Sequence, residues 1–118
     1  MRSTKTAHLL LKQLIMSVMV NFAMFPTDKG TSVSKYVSQI IKMIKDSGVD
    51  YKLTSMATII ETETMPEALK IIEKAYAILE PHSERVYCAA TFDIKKAGSG
   101  RMTQKIKSIE DKIGEINT

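Results

Sequence analysis

Two clusters of side chains in this sequence carry the chemistry to hold a small polar molecule. The first is the stretch Gly30-Thr31-Ser32-Val33-Ser34-Lys35-Tyr36, with hydroxyls at Thr31, Ser32 and Ser34. The second comprises Thr54, Met56, Thr58 and Glu61. Hydroxyls donate and accept hydrogen bonds, a thioether is soft and polarisable, and a carboxylate offers negative charge. Aromatic walls from Phe22 or Tyr36 would add ring faces that attract cations. A cleft built from these groups suits a small flat cation with hydrogen-bonding edges. Each cluster also has a plainer explanation. A side-chain oxygen at a helix start satisfies an otherwise orphaned backbone N–H, so Thr31, Ser32 and Ser34 are all candidate N-caps. On that stretch alone capping is a sufficient account, and Glu61 alone would equally suit a solvated edge charge.

Other chemistries find less to work with. His8 lies near the N-terminus and His82 in a Pro-His-Ser turn, which leaves no histidine-based metal or catalytic constellation. The single cysteine, Cys88, precludes an intrachain disulfide or a cysteine metal cluster and suits a reducing cytoplasm. Its place mid-strand reads as that of a small core residue. Gly98-Ser99-Gly100 lacks the lysine and the strand-to-helix setting of a phosphate loop. An RNA-reading sheet would carry paired aromatics with a basic flank, whereas Thr58-Ile59-Ile60-Glu61-Thr62-Glu63 is acidic there. The net charge of +4 is partly terminal, which argues against a nucleic-acid face. No stretch approaches the length of a membrane span, so no membrane partner is expected. No cofactor and no metal are expected either.

The elements that must position the two clusters follow from periodicity. Val18, Val20, Phe22 and Met24 alternate with Ser17, Met19, Asn21 and Ala23, the period of a strand, which Pro26 ends. A helix is predicted from about Ser32 to Asp46, with Val33, Tyr36, Val37, Ile40, Ile41 and Ile44 on its core face and Gly48 as left-handed C-cap. Tyr51 and Leu53 mark a short second strand, and Ala57–Glu63 a third. Thr64, Pro66 and Glu67 form a capping box for a second helix that Pro81 stops. Val86 to Ile94 alternates as a fourth strand. The last helix, about Met102 to Ile116, bears a narrow seam of Met102, Ile106, Ile109, Ile113 and Ile116. That seam fits equally against its own sheet or against another chain.

At 118 residues, 44% hydrophobic and 25% charged, the chain reads as one domain over 16–118. Residues 1–15 read as an extension without a motif: an extra helical turn or two, or an upstream stretch before Met16. Arg2 and Lys5 before Ala7–Leu11 imitate a signal peptide, but Lys12 and Gln13 break the apolar run and no cleavage site follows. The order strand, helix, strand, strand, helix, strand predicts an α+β, ferredoxin-like sandwich: a four-stranded antiparallel sheet, two helices on one face, and a C-terminal helix. The other face would carry Met19, Ala23, Phe25, Tyr87 and Ala89, too apolar for free exposure, so self-association through it is expected.

Three stretches resemble a known family, the small thiamine-binding proteins of ferredoxin-like fold. They are Gly30 to Val37, Tyr51-Lys52-Leu53-Thr54-Ser55-Met56-Ala57-Thr58-Ile59-Ile60-Glu61, and Arg85-Val86-Tyr87. The resemblance extends over about Met16 to Ile116. Two features depart from it. Ala57 stands where many relatives have glycine, and the Lys95–Gly100 region is less charged than the family's Asp-Arg-rich stretch. The resemblance implies a homotetramer, a dimer of dimers, that binds thiamine or its hydroxymethylpyrimidine half without catalysis. Thr31, Ser32, Ser34, Thr54, Met56, Thr58, Glu61, Phe22 and Tyr36 would be the ligand contacts. Two other readings stay open: an enzyme on a thiamine-related molecule, for which Glu61 is the acid–base candidate, and an interaction protein that works through its last helix.

Overall fold

Strand β1, Ser17–Pro26, is the axis of the sheet, and its alternation decides which layer each residue enters. Val18, Val20, Phe22 and Met24 face the helices and are buried. The computed structural model describes residues 16–118 apart from Ala97 and Ser99, so the expectation for residues 1–15 lies outside the described residues. Strands β2 (Asp50–Leu53), β3 (Thr58–Thr62) and β4 (Val86–Lys95) complete an antiparallel sheet in the order β2-β3-β1-β4. Helices α1 (Ser34–Ser47) and α2 (Met65–Leu79) are the two crossovers, and α3 (Arg101–Ile113) follows β4. This is the α+β, ferredoxin-like arrangement predicted from the element order.

The core forms where α1 and α2 press on β1 and β3. Ile40 and Ile44 from α1 and Ala68, Ile71, Ala75 and Leu79 from α2 close over Val18, Val20, Phe22 and Ile60. Local chemistry sets the helix ends. The Thr64 hydroxyl accepts from the Glu67 N–H at 3.3 Å, the N-cap half of a capping box, and donates to the Glu67 carboxylate at 2.9 Å. Gly48 takes the left-handed conformation, φ +79°, that ends α1.

Two sequence expectations give way. Thr31, Ser32 and Ser34 do not cap α1: the helix begins at Ser34 behind Val33, whose carbonyl accepts from Tyr36 and Val37, and no side chain caps it. All three hydroxyls are exposed. Cys88 is exposed rather than a core residue. It does point to the helix side, opposite Met24, but β4 is the edge strand and the buried layer lies under α1 and α2 against β1 and β3.

The C-terminal helix lies on its own sheet, over the face that α1 and α2 leave uncovered. Met102 and Ile106 are partly buried there, whereas Ile113 is 71% exposed. Along the seam, the first turns therefore serve the chain's own sheet and the later ones stand free of it.

Candidate functional site

At one end of the sheet, β1 starts, β3 ends, and a polar knot ties α3 down. Glu61 and Ser17 point to the same, outer face, because each stands an odd number of positions from the buried Ile60 or Val18 of its own strand. The Ser17 hydroxyl donates to Glu61 Oε2 at 2.6 Å. The backbone N–H of Arg101 donates to the same oxygen at 3.1 Å, and that of Met102 to Oε1 at 3.4 Å. Those are first-turn donors of α3, whose N-cap is Gly100, a residue with no side chain to cap it. A carboxylate from a central strand supplies the missing acceptor and sits at the positive end of the helix dipole.

Arg101 completes the knot. Its Nε donates to Ser17 Oγ at 2.8 Å, and its Nη2 to the carbonyls of Ser17 and Asp93, each at 2.8 Å. Nη1 pairs with Asp93 Oδ2 at 2.9 Å. Burial pushes the Glu61 carboxyl up, but the Ser17 hydroxyl, the two backbone N–H groups and the Arg101 charge together outweigh it and hold the group below its ordinary range. Glu61 is therefore an ionised, fully bonded carboxylate, 6% exposed. Ser17, Asp93 and Arg101 were not singled out by sequence reasoning. The one sequence signal was Arg101, a lone guanidinium that opens an apolar-seamed helix straight after glycine.

At the opposite end of the sheet, four of the expected ligand contacts come together. Phe22, Thr54, Met56 and Thr58 line a hollow of about 170 Å³ between α1 and the β2–β3 hairpin. Val37, Ile40 and Ile41 form its helix wall. Thr58 is 6% exposed and stands at the wall of this hollow. Thr54 is committed to the hairpin: its hydroxyl donates to the Ala57 carbonyl at 2.9 Å and accepts from the Ala57 N–H at 3.1 Å. Met56 stands at the hairpin tip, lines the hollow and is 87% exposed.

The remaining expected contacts do not line this hollow. Glu61 is on the same strand as Thr58 but faces the other side of the sheet, three residues away, and its oxygens are taken up by α3. Tyr36 stands beside His82, with ring centroids 5.9 Å apart, and Lys35 Nζ lies 5.8 Å from its ring centroid. Thr31 and Ser32 lie in the connection between β1 and α1 and Ser34 is the first residue of α1, all three exposed. The start of that connection is pinned to the approach to β4. The Thr27 N–H and hydroxyl both donate to the Arg85 carbonyl, at 2.9 and 3.0 Å. The Asp28 carboxylate accepts from the Ser83 hydroxyl at 2.6 Å and from the Glu84 N–H at 3.0 Å, and these bonds hold its carboxyl below the ordinary value.

Among the described residues, no group of histidine, cysteine, aspartate and glutamate side chains is arranged to hold a metal ion. No helix among them is long and apolar enough to cross a membrane.

Comparison with known proteins fits this architecture. An uncharacterised-family protein of Mycobacterium bovis, UPF0045, is 30% identical over 95 residues, which cover 80% of this chain and 93% of that protein. A UPF0045 protein of Methanothermobacter thermautotrophicus is 30% identical over 70% of this chain and 85% of its own length. Among solved structures, a hypothetical protein of Methanocaldococcus jannaschii superposes with a TM-score of 0.71 at 27% identity, covering 80% of this chain and 97% of that one. A candidate thiamine biosynthesis/salvage protein of Thermotoga maritima shares the fold, with a TM-score of 0.63 at 21% identity over 79% of this chain and 98% of that one. The family model for thiamine-binding proteins matches residues 20–110, a span from β1 into α3 that takes in both ends of the sheet. The chain belongs to the thiamine-binding protein family.

Proposed function

We propose that this protein binds thiamine or its hydroxymethylpyrimidine half, without converting it, in the hollow lined by Phe22, Thr54, Met56 and Thr58. The observation that carries the reading is the convergence of Phe22, Thr54, Met56 and the nearly buried Thr58 on one apolar hollow. A hydroxyl at that wall can both donate and accept, which matches the edge of an aminopyrimidine. Size supports the pyrimidine half as the inserted part. At about 170 Å³ the hollow is smaller than the roughly 300–1,000 Å³ that encloses a drug-sized ligand. One flat ring enters, and a thiazolium would stay at the mouth near Met56. Family membership supports the ligand class. The single cysteine, Cys88, is in keeping with work in the cytoplasm.

Isothermal titration with thiamine and with free hydroxymethylpyrimidine is expected to give saturable heat for both. Thr58→Val, which keeps the shape and removes the hydroxyl, should raise Kd roughly fivefold, the worth of about 1 kcal/mol. No heat with either compound overturns the reading.

The assembly we infer is a homotetramer, formed as a dimer of dimers through the outer face of the sheet. Phe25 and Tyr87 stack there with ring centroids 5.3 Å apart, and Tyr87 is 53% exposed beyond the cover of α3. An aromatic pair left open beside the small side chains of Ala23 and Ala89 is the composition of an interface centre. Tyr87→Asp is expected to shift the sedimenting species to a smaller size. An unchanged sedimentation coefficient would place the contact elsewhere.

A further inference from the structure

The space between α3 and the outer face of the sheet is a second site, separate from the hollow under α1. It measures about 680 Å³, within the range of small-molecule pockets. Met19 and Ile59 of the sheet and Met102 and Ile106 of α3 give it apolar surfaces. Its charged groups are unevenly matched. Asp93 is its sole carboxylate and is already paired with Arg101, whose guanidinium is spent on Asp93 and Ser17. Lys52 of β2, Lys95 of β4 and Lys105 of α3 also line it, and none is in an ion pair among the described residues. Three elements thus each contribute a lysine to the lining of one slot.

We propose that this slot binds a small organic phosphomonoester, with its apolar body between the Met19–Ile59 surface and α3 and its phosphate among the lysines. Uncompensated charge around a slot with low-dielectric walls focuses a positive potential into it. Lysine is an effective partner for phosphate as a point charge. Methionine and isoleucine walls favour an apolar or aromatic body through burial and sulfur–ring contact. A second copy of the chain fits the slot poorly, because a two-fold contact would set its lysines against their own equivalents. The nearest further carboxylate, Glu61, has its oxygens taken by Ser17 and the first turn of α3, and Asp50 and Glu110 line the space on the other flank of that helix. The proposal does not rest on vitamin binding: the two sites lie on opposite faces of the sheet and share one lining residue, Thr54.

The test is methyl NMR on the full chain titrated with phenyl phosphate, with benzyl alcohol and inorganic phosphate run separately. Phenyl phosphate is expected to move the Met19, Ile59, Met102 and Ile106 methyl signals saturably, and at least tenfold more tightly than either control. The combined Lys52→Gln, Lys95→Gln and Lys105→Gln variant should lose at least tenfold of that affinity while its other methyl signals stay in place. Benzyl alcohol binding as tightly would make the slot merely apolar, and inorganic phosphate binding as tightly would make it merely an anion site. Either result overturns the proposal, as does an unchanged affinity in the triple variant or shifts confined to residues of the α1 hollow. Should that variant prove misfolded, the wild-type affinity is read at rising salt, where a lack of weakening counts against the lysines just as decisively.

Discussion

Glu61→Ala is expected to destabilise the protein by about 3 kcal/mol and to release α3 from the sheet. The substitution leaves the Ser17 hydroxyl and the N–H groups of Arg101 and Met102 without their shared acceptor. Each of these donors, if it stayed buried, would cost on the order of 1–3 kcal/mol, so the cheaper response is for the first turn of α3 to lift and hydrate. The urea midpoint should fall, and amide exchange at Arg101 and Met102 should accelerate far more than at Val20 or Ile60. Glu61→Gln keeps an acceptor of the same shape but loses the charge, and should fall between wild type and alanine. A midpoint unchanged in Glu61→Ala would remove the knot from the account of how α3 is held.

The same carboxylate gives the stability a defined response to acid. Its folded pKa is held below the unfolded one, so the contribution of Glu61 is complete above the unfolded value, about pH 4.3, and shrinks below it. That contribution is fully present at neutral pH and is lost as pH falls through the folded value. Acid titration of wild type should therefore loosen α3, while Glu61→Gln, which has no proton to gain there, should show a flatter profile across the same range.

Ile60→Ala is the second large effect, expected at about 3 kcal/mol within the 2–5 usual for such truncations. Ile60 has 0% exposure and faces the helices from β3, beside Val20 on one neighbour strand and Tyr51 on the other. Deleting most of its side chain removes apolar burial and leaves a void that a sheet position hydrogen-bonded on both sides relaxes into poorly. The two variants separate by pattern. Ile60→Ala should lower the global midpoint and leave the amides of Arg101 and Met102 no faster than the rest of the molecule. Faster exchange confined to α3 would contradict the layer assignment.

The fold was legible because its signals are local. The alternation of β1, the capping box at Thr64 and Glu67 and the left-handed Gly48 each declare themselves within a few residues, and the order of elements then leaves few topologies open. The site was legible only in part. Phe22, Thr54, Met56 and Thr58 meet because the hairpin that follows β2 folds over the end of β1 and α1. Glu61 was grouped with them by proximity in sequence, yet three steps along a strand reverse the face, and that parity sends it to α3. Its true partners, Ser17 and Arg101, lie 44 and 40 positions away, beyond any local pattern. The hydroxyls of Thr31, Ser32 and Ser34 looked like caps because the helix was placed two residues too early, and a start at Ser34 leaves them exposed.

One feature of the knot reaches into the connection that delivers α3. The chain leaves β4 at Lys95 and must cross above β1 to bring Gly100 to a carboxylate on β3, a transit of two strand spacings, roughly 10 Å. Residues 96–100 span at most roughly 17 Å when fully drawn out. The reach exceeds the transit by about two residues' length. Removing a pair would leave none to spare, whereas lengthening would cost little, so this stretch can grow far more readily than it can shrink.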